Sequence, residues 1–449
     1  MVEKKRSNLS KKVSVSILSI IILSAVIFYA GYTYGISYGS GLPSSIIESG
    51  SMVDGYSYVI FTDGVTYWAK NGTTGAIDYE SSNATYLIQS VFNNYPQKVL
   101  FKAGVFDLNG GTVTANVPIV IEGEGIKSVI LQGTLKIQGV DCNGVTWIYN
   151  QNIVRNLKFN STGDIINVWY VNVTQGIIEQ NVFWKTSFAL QAPQVRLTDS
   201  LSIYVQDNWF DGYNCQILKI DGTHAWLPFH YILRNAFGST LLGVFPDATG
   251  EPWKVAAIYI EAANNVYTLI QNNVGFLNPK EIFVFSQSSA TMIYDNEIEC
   301  GEGNYAIWLK SDSNKVKNNI ITLSPSSLGA ICIYYNATTP LYYNEIIGNN
   351  IFSSDADYGI FMGASYYSQV SGNTIFGKNG IYLYSCGYCQ VIDNIYRKIG
   401  DTSDFALQEA GASAYNVIIG MYARTGYIYI IDPAVTKVNL SWNGTTWIS

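Results

Sequence analysis

Ten times between Ile153 and Asn394 the chain repeats the pattern aliphatic-x-x-Asn, and that repetition constrains the fold more than anything else in it. The pairs are Ile153/Asn156, Ile178/Asn181, Val205/Asn208, Ile232/Asn235, Ile270/Asn273, Ile293/Asn296, Val316/Asn319, Ile347/Asn350, Val370/Asn373 and Val391/Asn394. Two places on there usually stands an aromatic or branched apolar residue, as in Phe183, Phe210, Phe237, Ile298, Ile321, Phe352 and Ile375. Steps of 21 to 38 residues between asparagines are too short for separate domains, and self-similarity at this period marks a solenoid. Between the asparagines run short alternating stretches of Ile, Val, Tyr and Phe broken by Gly, Ser and Asn, which read as strands and turns. Asparagine tolerates the left-handed backbone a sharp corner needs, and identical amides stacked coil on coil bond along the axis. The expected fold is all-β, a parallel β-helix, and a leucine-rich repeat is excluded because its Leu spacing is missing.

Two features lead into the ladder. Tyr58 to Lys70 alternates around Asp63-Gly64, predicting a hairpin with a two-residue turn. Tyr86, Leu87, Ile88, Val91 and Phe92 have helical spacing, with Asn83 placed to cap them. This hairpin and helix are expected to cover the open end of the first coil, where unpaired strand edges invite aggregation. Together with the ladder, these stretches resemble the right-handed β-helix of the pectin-lyase-like superfamily, and the hairpin resembles what precedes the cap in archaeal surface β-helix proteins. The resemblance implies a right-handed solenoid. It does not imply one function, because that superfamily holds lyases, hydrolases, adhesins and viral tail-spikes.

Residues 1–12 hold Lys4, Lys5, Arg6, Lys11 and Lys12, and residues 13–30 carry no charge. This predicts a membrane anchor with its N-terminus inside, favoured over a cleaved signal peptide because Phe28 stands where cleavage needs a small residue. Residues 31–55 read as a stalk, 56–98 as the hairpin and capping helix, 99–420 as the β-helix, and 421–449 as closing strands around Asn443-Gly444. Beyond residue 12, 21 basic residues face 32 acidic ones, which argues against a nucleic-acid partner.

The 38-residue step predicts a loop near 238–253. Around it gather Asp221, His224, Trp226, His230, Asp247, Glu251 and Trp253. Tryptophan faces suit sugar rings, so Trp226, His230 and Trp253 are candidate ligand-binding residues. Carboxylates do acid and base work, so Asp221, His224, Asp247 and Glu251 are the catalytic candidates. Packing of the insertion on its own rod is the rival reading. Asp295, Glu297, Glu299 and Glu302 form an acidic cluster in which calcium is the one cofactor considered, against ordinary solvated strand residues. Cys386 and Cys389 are expected to bridge locally. Asn71, Asn83, Asn160, Asn172, Asn336, Asn439 and Asn443 begin glycosylation sequons.

The polygalacturonase signatures are absent, and only Arg196 and Arg234 offer the cation of a pectate-lyase-like site. The expectation is a single-pass surface protein on an archaeal cell or enveloped virion, its β-helix outside, serving adhesion or glycan recognition. A tethered polysaccharide lyase or glycoside hydrolase and a purely structural envelope component are the alternatives. Oligomeric state is left open.

Overall fold

The computed structural model describes residues 55–139, 152–185, 192–212, 217–222, 229–238, 255–261, 267–277, 281–300, 303–325, 327–336, 338–353, 355–398, 405–423, 427–429, 437–439, 441–442 and 447–448. The expected anchor and nearly all of the stalk lie outside them. Among the described residues no helix is long and apolar enough to cross a membrane.

Each coil contributes one short strand to each of three sheets. One coil, for example, runs Leu201–Gln206 in the first sheet, Trp209–Gly212 in the second and Leu218–Asp221 in the third. Successive coils pair in parallel and in register, as in Val182↔Trp209↔Ala236. Side chains alternate inward and outward, so each strand gives the interior every second residue. In Leu201–Gln206, Ile203 and Val205 are buried and their neighbours partly exposed.

The ladder stands at the corner between the first and second sheets. Asn181, Asn208, Asn235, Asn273, Asn296, Asn319, Asn349, Asn373 and Asn394 stack one per coil, each at most 2% exposed. Every Oδ1 below the first accepts both the backbone N–H and the Nδ2–H of the asparagine one coil earlier, at 2.9–3.1 Å. Each Nδ2 also donates to the carbonyl of the preceding coil's aliphatic residue, as Asn208 does to Ile178 at 2.8 Å. Buried amides are thus satisfied along the axis, and the aliphatic-x-x-Asn spacing has a physical cause.

Two rungs differ from expectation, each by one residue. Leu157, not Asn156, donates its N–H to Asn181 Oδ1, and Asn349, not Asn350, is the rung below Asn319. The displaced Asn156 takes the left-handed corner position at φ 56°, and Gly348 does so before Asn349 at φ 68°. A slip of one residue reverses every side chain. Ile351 therefore points inward and Phe352 is 40% exposed.

Inside the second sheet, Phe159, Phe183, Phe210 and Phe237 form a face-to-face stack with centroids 4.7 to 5.1 Å apart. It ends where Gly275 leaves room for Phe283, whose ring lies 2.8 Å from where a Cβ would stand. Helix α1 (Ala84–Asn93) is capped by Asn83, which accepts from Tyr86 N at 3.0 Å. Its Leu87, Ile88, Val91 and Phe92 are buried and it packs on Ile77–Ser81 and Thr112–Ala115. The hairpin pairs Tyr58–Thr62 with Tyr67–Asn71, with Thr62 opposite Tyr67. Its turn therefore has four residues, because Asp63 Oδ1 draws in the N–H groups of Val65 and Thr66. At the far end Ser441–Trp442 pairs antiparallel with Trp447–Ile448, as the closing hairpin requires.

Candidate functional site

His224, Trp226, Asp247, Glu251, Trp253 and Glu302 lie outside the described residues. Asp221 and His230 are described, and they do not meet. His230 sits in register between Ile203 and Thr268 on the inward side of the first sheet and is 2% exposed. Burial depresses its pKa to about 3. It is a neutral interior side chain and not a surface ligand, a correction that follows from strand alternation. Glu297 and Glu299 do share the exposed outward face of the second sheet, beside Val274, Ile320 and Phe276, while Asp295 turns the corner at φ 56° and accepts from Gln271. Among the described residues no group of three His, Cys, Asp or Glu side chains comes together to hold a metal.

Cys386 and Cys389 are free, buried thiols and not a disulfide. They stand at the corner between the third and first sheets, where a second, mixed ladder runs. There Thr291 N–H donates to Asn314, Asn314 N–H to Asn344, Asn344 N–H to Ser368 and Cys389 N–H to Asn416. Each thiol points to a carbonyl one coil earlier, Met362 for Cys386 and Ser365 for Cys389, both at 3.2 Å. Of the sequons, Asn83 is exposed, Asn71, Asn160, Asn172 and Asn336 are half-buried, and Asn443 lies outside the described residues. Asn71 is held in its turn by Thr73, Thr74 and Asp78.

The feature the sequence did not announce is the outward row of the third sheet. One residue per coil, in register, it runs Lys136, Trp169, Arg196, Lys219, Tyr259, Phe285, Trp308, Cys332, Phe361 and Tyr382. Its upper end mixes cations with rings. Lys136 Nζ and the Arg196 guanidinium lie 4.9 and 5.2 Å from the Trp169 ring, and Lys219 Nζ lies 5.4 Å from Tyr259, within cation–π range. Asp221 stands in the neighbouring row and ties this end together. It accepts from Arg196 Nε at 3.0 Å and Nη2 at 2.7 Å, and from Thr198 Oγ1 at 2.7 Å. Lys219 bridges from Asp221 to Glu261, and Trp169 Nε1 donates to Thr198.

Further along, Lys310 Nζ lies 5.0 to 5.9 Å from the rings of Trp308, Phe285 and Tyr335, and burial lowers its pKa. Burial, with Glu261 close by, holds the Tyr259 phenol well above its ordinary range. Asp221 already holds several donors and Tyr259 resists ionisation. Tyr259, Phe285 and Cys332 are buried, so the part of the row open to a ligand at this end is Lys136, Trp169, Arg196 and Lys219, where a ring can meet an apolar face and cations can meet anionic groups.

The family described as "Right handed beta helix region" matches residues 256–419. A tailspike protein of bacteriophage CBA120 superposes with a TM-score of 0.55 at 12% identity, over 94% of this chain and 70% of its own. The chain is a right-handed parallel β-helix. Two alginate lyases share this β-helix fold. A PL6 enzyme complexed with a trisaccharide has a TM-score of 0.56 at 12% identity, over 81% of this chain and 88% of its own. AlyF-OU02 gives 0.54 at 11%, over 80% and 88%. No curated protein sequence matches the β-helix.

Proposed function

We propose that this β-helix is an exported rod that binds an anionic polysaccharide along the outward row of its third sheet and so attaches the surface that carries it. The carrying observation is the upper end of that row, where Lys136, Trp169, Arg196 and Lys219 on successive coils each present a partly exposed ring or cation at a spacing of ~4.8 Å, close to the advance of one sugar in an extended chain. Two supports come from outside the row. Residues 13–30 have the composition of an anchor that would leave the rod outside an archaeal cell or virion, with α1 closing its first coil. The fold is also that of a phage tailspike and of lyases that act on alginate.

Titration of the full-length chain with hexagalacturonate, alginate and dextran tests the proposal. Saturable, salt-sensitive binding of the acidic chains is expected, weakened about tenfold in Lys136→Gln/Trp169→Ala, since two such contacts contribute about 1.4 kcal/mol together. Binding to none of these polymers, or binding that the variant leaves intact, refutes it. Unsaturated products released from the acidic chains would favour the lyase alternative.

A further inference from the structure

A second feature lies away from that row, at the corner between the third and first sheets. Tyr343, Tyr367, Tyr388 and Tyr415 stand there on successive coils, 48 to 61% exposed. Their rings stack with centroids 5.9, 5.1 and 5.1 Å apart and planes within 23°. All four have left-handed backbones, φ 51° to 60°, a conformation that disfavours bulky side chains.

The corner needs that backbone but does not need tyrosine. On the two coils above, the same position is filled by Ala290 and Ser313. At the opposite corner it is filled by Asn, Asp, Gln, Arg or Gly, as at Asn272, Asp295, Asn318 and Gly372. Four large rings in a strained, solvent-facing line forgo the burial that the phenylalanine stack enjoys inside.

Because the rings cover one another's faces, the ridge presents their edges and hydroxyls, one per coil. Two residues on from the first three tyrosines come Glu345, Gln369 and Gln390, an outward line in register with the ridge. Glu345 pairs with Lys315 and Lys317 at the upper end, and below it the flanking line is uncharged amide. Phenols and amides at this interval donate to and accept from sugar hydroxyls.

We propose that this tyrosine ridge is a binding site for an uncharged, extended β-linked polysaccharide lying parallel to the coil axis. It is chemically distinct from the anionic ligand of the third-sheet row and does not depend on it. The test is calorimetric titration of the full-length chain with β-1,4-linked mannohexaose and cellohexaose, with hexagalacturonate in parallel. At least one neutral hexamer should bind saturably. Tyr367→Ser/Tyr388→Ser should weaken it about tenfold, the loss of two phenol hydrogen bonds, while the hexagalacturonate titration stays as in the parent chain.

A measurement on the unmutated chain guards against a variant that misfolds. Acetylation by N-acetylimidazole, read by peptide mass spectrometry, should drop at these four tyrosines when the neutral hexamer is present. The proposal is overturned if neither neutral hexamer binds, or if acetylation of the ridge is the same with and without it. It is also overturned if the variant alters only sedimentation, which would make the ridge a contact between copies of the chain.

Discussion

Replacing Asn296 by Ala removes one rung from the middle of the amide ladder. Four hydrogen bonds go, two accepted from Asn273 N–H and Nδ2–H at 3.0 Å and two donated, to Ile270 O at 3.0 Å and Asn319 Oδ1 at 2.9 Å. Their partners are not equally harmed. Asn273 Nδ2 keeps Ile232 O and Gln271 O, and Asn319 Oδ1 keeps the backbone N–H of residue 296. The Asn273 backbone N–H loses its acceptor in a site 1% exposed. A buried donor left so costs about 1–3 kcal/mol, and the three other bonds about 0.5–1 kcal/mol each. The expected loss is therefore about 2.5–6 kcal/mol. Asp295→Gly is the matched control: it sits one residue away on the outside at φ 56°, where glycine is at ease, and should change stability by less than about 1 kcal/mol. Urea midpoints give the global difference, and hydrogen exchange of the peptide spanning residues 267–277 shows whether the damage begins at Asn273. If Asn296→Ala unfolds where the parent does, or costs no more than Asp295→Gly, the amide ladder does not hold the coils together.

Further outcomes follow from other parts of the rod. His230 stays neutral when folded down to about 3 but takes a proton at about 6.5 when unfolded, so its contribution is present above 6.5 and is lost as the pH falls toward 3. Stability should drop by about 1.4 kcal/mol per pH unit below 6.5; comparison of urea midpoints at pH 7 and 5 should show a smaller drop in His230→Leu, and an equal drop in both chains would count against the assignment. Glu122 is partly buried, which opposes its charge, yet Arg155 and Lys98 outweigh this and hold its carboxyl below the ordinary range. That support exists above the unfolded carboxyl pKa and disappears on acidification, so Arg155→Gln should melt earlier than the parent at pH 7 and together with it in acid. Cys386 and Cys389 are fully buried, and burial pushes the Cys386 thiol up. Iodoacetamide should modify neither until denaturant is added, and a mass shift on either in the native chain would show that the corner opens.

The coil architecture was readable because one requirement, an inward amide at one corner, recurs with little variation in residue type. Where it failed, the text was degenerate: Ile346-Ile347, Asn349-Asn350 and Ile351-Phe352 offer two registers, and only Gly348, at the left-handed position, decides between them. The second ladder escaped because its corner positions, Thr291, Asn314, Asn344, Ser368, Cys389 and Asn416, mix four residue types, so no single one recurs coil after coil. The candidate site was less legible still. His230 was grouped with its sequence neighbours, whereas strand alternation turns it into the core and leaves Asp221 outside. The third-sheet row and the tyrosine ridge take one residue from each coil, so no short window of sequence contains two members of either. Both emerge only once the register is known.

Between Asn235 and Asn273 the chain takes 38 residues to come round, and between Asn373 and Asn394 it takes 21, yet the Nδ2 to Oδ1 distance is 3.1 Å in one case and 2.9 Å in the other. Path length is thus uncoupled from rung geometry. Whatever leaves the cylinder between two corners can lengthen, shorten or change its chemistry without disturbing the interior, provided it returns in phase. A scaffold of this kind can change what it recognises on its flanks while its spine stays the same.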